Sequence, residues 1–402
     1  MDPPPARSQR RRGELPGARG RLTPLRPTVA EIDLGALRRN AQSLRAMMAE
    51  GPRPPQMFAV VKADAYGHGA VEVARALTGG EVDGFCVALV EEGIALREAG
   101  VREPVLVLSS MSRDALGEAV ARGLTPVIHD PSLVEALAAV AQRGPVGVHL
   151  KVDTGLHRMG VTLDALPEVL KRLQALRGVS VEGVMTHFAN ADDDDPAYCD
   201  VQLAQFARAR AMLAAHGLSP KMVHAANSAA ALRLEHARFD MVRMGIALYG
   251  ATPFPNTAPG LLPVMRLRTE VLALREVASG EPVGYGGRWR AGRRSVIATI
   301  PIGYADGFFR RLSSEAEVLV RGARARVVGN VSMDLATVDV TELARVHGVS
   351  VGDEVVLLGN QSGPAGFGVI RSEEIAERVG TIAYEVLTAL SRRVPRVHRG
   401  HG

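Results

Sequence analysis

Eight short apolar runs, spaced so that helical stretches fit between them, constrain this chain more than any other feature. They lie at Met57–Lys62, Gly84–Leu89, Val105–Ser109, Leu124–His129, Val146–Asp153, Val181–Phe188, Met222–Asn227 and Asp240–Gly245. Short apolar runs bounded by turn residues are what buried strands look like. Stretches of helical period intervene, among them Ala70–Leu77, Leu133–Gln142, Leu166–Leu176 and Gln202–Ala215. Eight β-α units over about two hundred residues match the size of a (β/α)8 TIM-type barrel. An open doubly wound sheet is the second reading.

Beyond the Pro-rich connector Thr252–Leu262 the pattern changes. Val264–Val277, Ser295–Ile300, Glu317–Val328, Ala336–Val340 and Glu354–Leu358 read as β-rich runs with Gly-containing turns and little helix. One helix is expected at Ser372–Val379, with Ser372 as N-cap and Glu373 and Glu374 in its first turn. The fold class is therefore α/β, a barrel over residues 27–255 followed by a mostly β C-terminal domain over 256–396. Upstream, Val29–Leu34 reads as a strand expected to pack with the second domain, and Ala36–Ala49 as an amphipathic helix. Residues 1–26 and 397–402 are expected to be tails. A length of 402 residues suits two domains.

The net charge of +5 could point to nucleic acid, so its location matters. Residues 1–27 hold seven arginines against Asp2 and Glu14, which is the whole excess; the remainder is neutral. The basic character thus belongs to a Pro/Gly/Arg-rich tail expected to be disordered, and no nucleic-acid partner is expected. No apolar run is long enough for a bilayer, and none follows the basic N-terminus as in a secretory signal. Cys86 and Cys199 are the only cysteines, which excludes a disulfide framework and fits a reducing cytoplasm. Asp192–Asp195 reads as a solvated loop, because adjacent carboxylates repel without a fixed ligand geometry; no metal site is expected. Trp289 reads as a packing or interface residue.

Lysine usage carries more weight. Only Lys62, Lys151, Lys171 and Lys221 occur among 48 basic residues, so wherever positive charge alone suffices this chain uses arginine. A lysine kept at the end of an apolar strand is then a candidate for amine chemistry that a guanidinium cannot perform. Lys62 and Lys151 both sit in such places. A barrel also demands that reactive side chains collect at the C-terminal ends of its strands. Lys62, Lys151 with Arg158 beyond it, His187, Asn227 with Ser228, and Arg243 all lie late in their runs. An amine leaving an apolar strand is desolvated, which lowers its pKa and exposes a nucleophilic lone pair. A solvated, snorkelling lysine is the bland alternative. The scarcity of lysine and the Gly-rich turn after Lys62 weigh against it.

The segment Ala59-Val60-Val61-Lys62-Ala63-Asp64-Ala65-Tyr66-Gly67-His68-Gly69 resembles the pyridoxal-phosphate attachment motif of the alanine racemase family. Further matches run from about Arg26 to Arg396. They include Lys151-Val152-Asp153-Thr154-Gly155 with Arg158, Thr186-His187-Phe188, Asn227-Ser228 and Arg243-Met244-Gly245-Ile246. In the second domain they continue with Gly284-Tyr285-Gly286, Pro301-Ile302-Gly303-Tyr304-Ala305-Asp306-Gly307, Met333-Asp334 and Tyr384.

The resemblance implies a barrel plus a β domain, with pyridoxal 5'-phosphate as cofactor. It implies a two-base interconversion of L- and D-alanine that supplies D-alanine for peptidoglycan. Lys62 would be the Schiff-base lysine and the base on one face of Cα. Tyr285 would serve the opposite face, contributed by the second subunit of a homodimer with shared sites. Two flanking acid/bases suit a reaction that removes a proton on one side and delivers it on the other. Arg158 would meet the substrate carboxylate and lie near the phenol, and Lys151 matches a lysine carbamylated in many members. Arg243 would donate to the pyridine nitrogen, with His187 bridging Arg243 and Tyr285. Tyr66, Asn227, Ser228, Gly245, Ile246 and Tyr384 would hold the cofactor, chiefly its phosphate. Tyr304, Met333 and Asp334 would line the approach for substrate.

This chain departs from the family's commoner pattern at Ser332, where many members have Cys, and at Asn330, where Arg is commoner. Serine or broad-specificity racemisation stays open, because pocket volume depends on geometry. An amino-acid decarboxylase of the same architecture is disfavoured, because the second domain carries Tyr285 and Met333-Asp334 and no cysteine to serve as its acid. A non-catalytic pyridoxal-phosphate carrier would resemble the barrel alone.

Overall fold

The computed structural model describes residues 25–49, 54–109, 111–254 and 260–400. The expected basic tail falls outside the described residues as far as residue 24. Eight parallel strands run Gln56–Val60, Gly84–Val87, Val105–Val107, Thr125–Ile128, Val146–Lys151, Val179–Met185, Met222–His224 and Met241–Met244. Neighbours in sequence pair through the first seven, and the eighth pairs back onto the first, with Phe58 beside Arg243. Between the seventh and eighth, amide bonds from Asp240 to the Val223 carbonyl and from Arg243 to the Ala226 carbonyl close the seam, each at 3.0 Å. Helices on the outside and side chains within leave such strands no wet face, which is why the runs read as continuously apolar. Met57, Ala59, Phe85, Val105, Val107, Val127 and Ile128 are fully buried.

The second sheet is mostly antiparallel. Val29–Asp33 lies in it, antiparallel to Met265–Glu270 and parallel to Arg396–Arg399. Residues 397–399, expected to be tail, are therefore strand. Glu31 joins these strands through Arg266 (3.0 Å), Arg268 (2.7 Å) and Arg399 (2.6 Å). Burial alone would raise the Glu31 carboxyl; Arg268, Arg266 and Arg399 outweigh it and hold the pKa low. Asp33 ends the strand and caps the helix Leu34–Met47, accepting from the Ala36 amide at 2.8 Å.

Several expected elements change form for visible reasons. Val264–Val277 is two strands, Met265–Glu270 and Ala273–Val277. The chain changes partner there, because the Val271 amide bonds to Asp353 and the Leu272 amide to Thr299. Glu317–Val328 is a hairpin whose turn residues Arg321 and Gly322 both have positive φ (59° and 90°), as a tight two-residue hairpin turn demands. Ser372 is not an N-cap: Arg371 occupies that position, and the Ser372 hydroxyl donates to Glu373 at 3.0 Å. Two short helices, Thr341–His347 and Ala383–Thr388, were not anticipated. Trp289 packs against a small cluster of Val283, Ile297 and Val328. No helix among the described residues is long and apolar enough to cross a membrane.

Candidate active site

At the C-terminal mouth of the barrel lies a cavity of about 310 Å³. Its walls include Lys62, Tyr66, Arg158, His187, Asn227, Ser228, Arg243, Gly245, Ile246 and Tyr384. The barrel geometry thus brings together side chains that span more than three hundred positions of sequence. Lys62 follows the first strand by two residues. Although its side chain opens onto the cavity, the surrounding walls strip solvent from the amine and lower its pKa, and the positive charge of Arg158 lowers it further.

The turn that carries Lys62 has an unusual backbone. Ala63, Asp64, Ala65 and Tyr66 all lie in the left-handed region, with φ between 52° and 54°. For L-residues this conformation costs roughly 1–2 kcal/mol each, so neighbours must hold it. Glu92 accepts from the Ala63 amide at 2.7 Å and Asp64 from the Ala70 amide at 2.8 Å. From the second domain, Arg396 donates to the Gly67 carbonyl (2.9 Å) and His398 to the His68 carbonyl (2.8 Å). At Gly67, φ is +79° and a Cβ would stand 2.5 Å from the Leu387 carbonyl oxygen. The left-handed turn aims Tyr66 back into the barrel, where its ring packs on Tyr249 and Tyr384.

One end of the cavity is lined with neutral donors. The Gly245 amide donates to the Ser228 hydroxyl at 2.8 Å, and Asn227 caps the following helix through the Ala230 amide at 3.0 Å. Burial pushes the Tyr66 and Tyr384 hydroxyls far up, so both stay protonated donors rather than bases. A Cβ at Gly245 would lie 2.6 Å from the Tyr66 hydroxyl. Gly245→Ala therefore displaces that hydroxyl, and about a tenfold loss in affinity for pyridoxal phosphate, the cofactor that the sequence resemblance implies, is expected from overpacking of this kind. Titrating apoprotein with the cofactor checks it; unchanged affinity means that Tyr66 makes no close contact there.

Deeper in the barrel, Arg243 is buried and donates to His224 Nδ1 (2.8 Å), His187 Nδ1 (3.0 Å) and the carbonyls of Thr186 (3.0 Å) and Ala225 (2.8 Å). Burial lowers its pKa to about 10, leaving it charged at neutral pH. That charge and, before it, burial hold His187 and His224 neutral. Lys151 is buried too. Desolvation first, then Arg243 and Arg158, bring its amine down to about 8.

Tyr285, Tyr304, Met333 and Asp334 are elsewhere. They line a separate cavity of about 450 Å³ on the second domain, which shares no lining residue with the barrel cavity. Tyr285 is 75% exposed, and Tyr304 and Met333 are exposed beside it. The loop holding Tyr304 is tied down by the wholly buried Asp306, which accepts from Arg26 (2.8 and 3.0 Å) and from the Gly303 amide (3.1 Å). Arg393 joins Asp306 (3.5 Å) to Asp334 (2.7 Å).

Sequence reasoning missed several supporting side chains. Gln202 is buried and bonds the Ala189 amide, the His187 carbonyl and Thr154. Tyr249 donates to the Val60 carbonyl at 2.9 Å. His68 stacks on Tyr249 with its Nε2 buried and, among the described residues, without a hydrogen-bond partner. His149 carried a readable signal, since it alternates with Lys151 on one strand and so shares its face.

Residues 32–253 match the family model described as alanine racemase, N-terminal domain, and residues 264–398 that of the C-terminal domain. The chain is 49% identical to alanine racemase of Sorangium cellulosum, over 93% of this chain and 100% of that one. It is 42% identical to alanine racemase of Geobacter sulfurreducens, over 93% and 97%. Among solved structures, alanine racemase from Bacillus anthracis with bound L-Ala-P superposes with a TM-score of 0.85 at 34% identity, covering 94% of this chain and 96% of that chain. The enzyme from the D-cycloserine producer Streptomyces lavendulae gives 0.86 at 34%, over 94% and 98%. Near-complete coverage of both domains, joined to a barrel that gathers the motif residues at one mouth, places this chain in the alanine racemase family.

Proposed function

We propose that this chain interconverts L-alanine and D-alanine, with pyridoxal 5'-phosphate as cofactor, as a cytoplasmic homodimer with shared sites. The single observation carrying this reading is the division of acid/base groups between two surfaces. The barrel cavity presents one amine with a lowered pKa, while its two phenols are held protonated. The exposed Tyr285 stands on a different domain with Tyr304 and Met333. A two-base racemisation needs both surfaces, and a second copy of the chain supplies the missing one.

The residues present fit the cofactor. The Lys62 amine can carry it, and the Ser228, Tyr66 and Tyr384 hydroxyls and the Gly245–Ile246 backbone can take its phosphate, with Asn227 capping the helix that begins at Ser228. Arg243 can donate to its pyridine nitrogen without giving up a proton. When bound, the cofactor draws electron density from the substrate's Cα and makes its proton removable. Lys62 takes or returns that proton on one face, and Tyr285 of the partner subunit acts on the other. Arg158 holds the substrate carboxylate. His187 accepts from Arg243 and leaves its other nitrogen for the phenol. Tyr304, Met333 and Asp334 line the approach. Cys86 and Cys199 are buried and unpaired, consistent with a reducing compartment.

Single enantiomers of a panel of amino acids test the reading through loss of optical activity. Alanine is expected to racemise fastest. Faster loss with serine would replace alanine by the broader specificity, and no loss with any amino acid would leave only a cofactor carrier.

Lys151 adds a second expectation. An amine with its pKa near 8 is substantially uncharged at mildly alkaline pH, and only the neutral amine takes up CO2. As pH rises through about 8, uptake of isotope-labelled bicarbonate on Lys151 is expected to rise, and to disappear in Lys151→Arg. Mass spectrometry of the intact protein reads it; label retained in Lys151→Arg argues against the carbamate at this position.

A further inference from the structure

Behind Arg243 runs a chain of hydrogen bonds that the proposed reaction leaves without a task. A guanidinium can only donate. Its Nη1 lies 2.8 Å from His224 Nδ1, so that nitrogen accepts and His224 carries its proton on Nε2. His224 Nε2 lies 2.8 Å from His149 Nδ1, so His149 accepts in turn and keeps its own proton on Nε2. Neither ring can charge readily: burial first, then the charge of Arg243, holds His149 down to about 4 and His224 far below its ordinary value. One obligatory donor thus dictates the tautomer of two rings in a row.

The chain ends at the opposite mouth of the barrel. His149 lines an open cavity of about 610 Å³ there, bounded by the starts of several strands and by Glu182 and Lys221. Room for the ring is made by Gly183, its cross-strand partner, where a Cβ would stand 2.3 Å from the imidazole. A side chain at residue 183 and this imidazole exclude one another.

We infer that His149 is a positioning residue for racemisation: by accepting from His224 Nε2–H, it locks His224 as the acceptor that aims Arg243 at the cofactor's pyridine nitrogen. This rests on the role proposed above for Arg243. Without His149 the buried Nε2–H of His224 has no partner in this pair. Turning the ring to satisfy it would present an N–H to Arg243, which already donates, and would release Nη1. A guanidinium held on one side only presents its donor to the ring nitrogen less firmly. Its restraint on amino transfer to the cofactor weakens accordingly.

Nitrogen NMR of holoenzyme labelled in its histidine rings reads the tautomers directly. Both His149 and His224 are expected neutral with the proton on Nε2; a proton on Nδ1 of His149 overturns the inference without any variant. His149→Leu removes the acceptor while keeping bulk. The ratio of pyruvate plus pyridoxamine phosphate to racemised alanine is expected to rise about tenfold, the equivalent of one lost hydrogen bond. In His149→Asn, an amide oxygen can take the place of Nδ1, and the ratio is expected to return to within about twofold of wild type. Arg243→Gln, run in parallel, separates two failures. If it raises the ratio and His149→Leu does not, the role of His149 fails alone. If neither raises it, the reading of Arg243 fails and takes this inference with it.

Discussion

Lys62→Ala protein folds but loses racemisation by about ten-thousand-fold or more, the upper range for removing a positioned acid/base. Folding survives because the Lys62 side chain opens onto the cavity, and the left-handed turn after it is held by Glu92, Asp64, Arg396 and His398 through other residues. The variant also loses the covalent hold on the cofactor. In the wild type, borohydride treatment followed by peptide mapping is expected to leave the cofactor label on Lys62. Lys171 and Lys221 lie outside the barrel cavity, and Lys151 is buried below it. A label on any of these three, or Lys62→Ala protein that racemises at the wild-type rate, would falsify the assignment.

The barrel was legible because period and composition agreed. All eight apolar runs became strands, and Lys62, Arg158, His187, Asn227, Ser228 and Arg243 at or beyond their ends converge on one cavity, whose lining does not include Lys151. Where reading stopped, a long-range partner decided the outcome. The break at Val271–Leu272 follows from a change of neighbouring strand, and apolar residues on both sides give no sign of it. Arg396–Arg399 became strand because Val29–Asp33, more than three hundred and fifty residues away, offers its edge. The left-handed run at Ala63–Tyr66 has no local signature, since three of its four residues ordinarily avoid that conformation. Its supports come from Glu92 and from the C-terminal strand, which only the folded chain brings near. His224 and Gln202 escaped notice for the same reason. Each acts through a neighbour that is remote in sequence.

The division of acid/base groups between two surfaces makes a sharper demand. Consider Lys62→Ala and Tyr285→Phe, each inactive or nearly so as a homodimer. If Tyr285 crosses to the partner's barrel, a mixed dimer places both substitutions at one site. Its other site pairs an intact Lys62 with an intact Tyr285. Random reassortment of equal amounts makes about half the dimers mixed, each with one working site of two, so activity is expected to return to about a quarter of wild type. Differently tagged subunits establish that exchange has occurred. A base supplied within one chain would give another result, because each mixed-dimer site would then carry one lesion. No recovery of activity in verified mixed dimers therefore places Lys62 and Tyr285 in the same chain's site. The exposure of Tyr285, at 75%, and its separation from the barrel cavity argue for recovery.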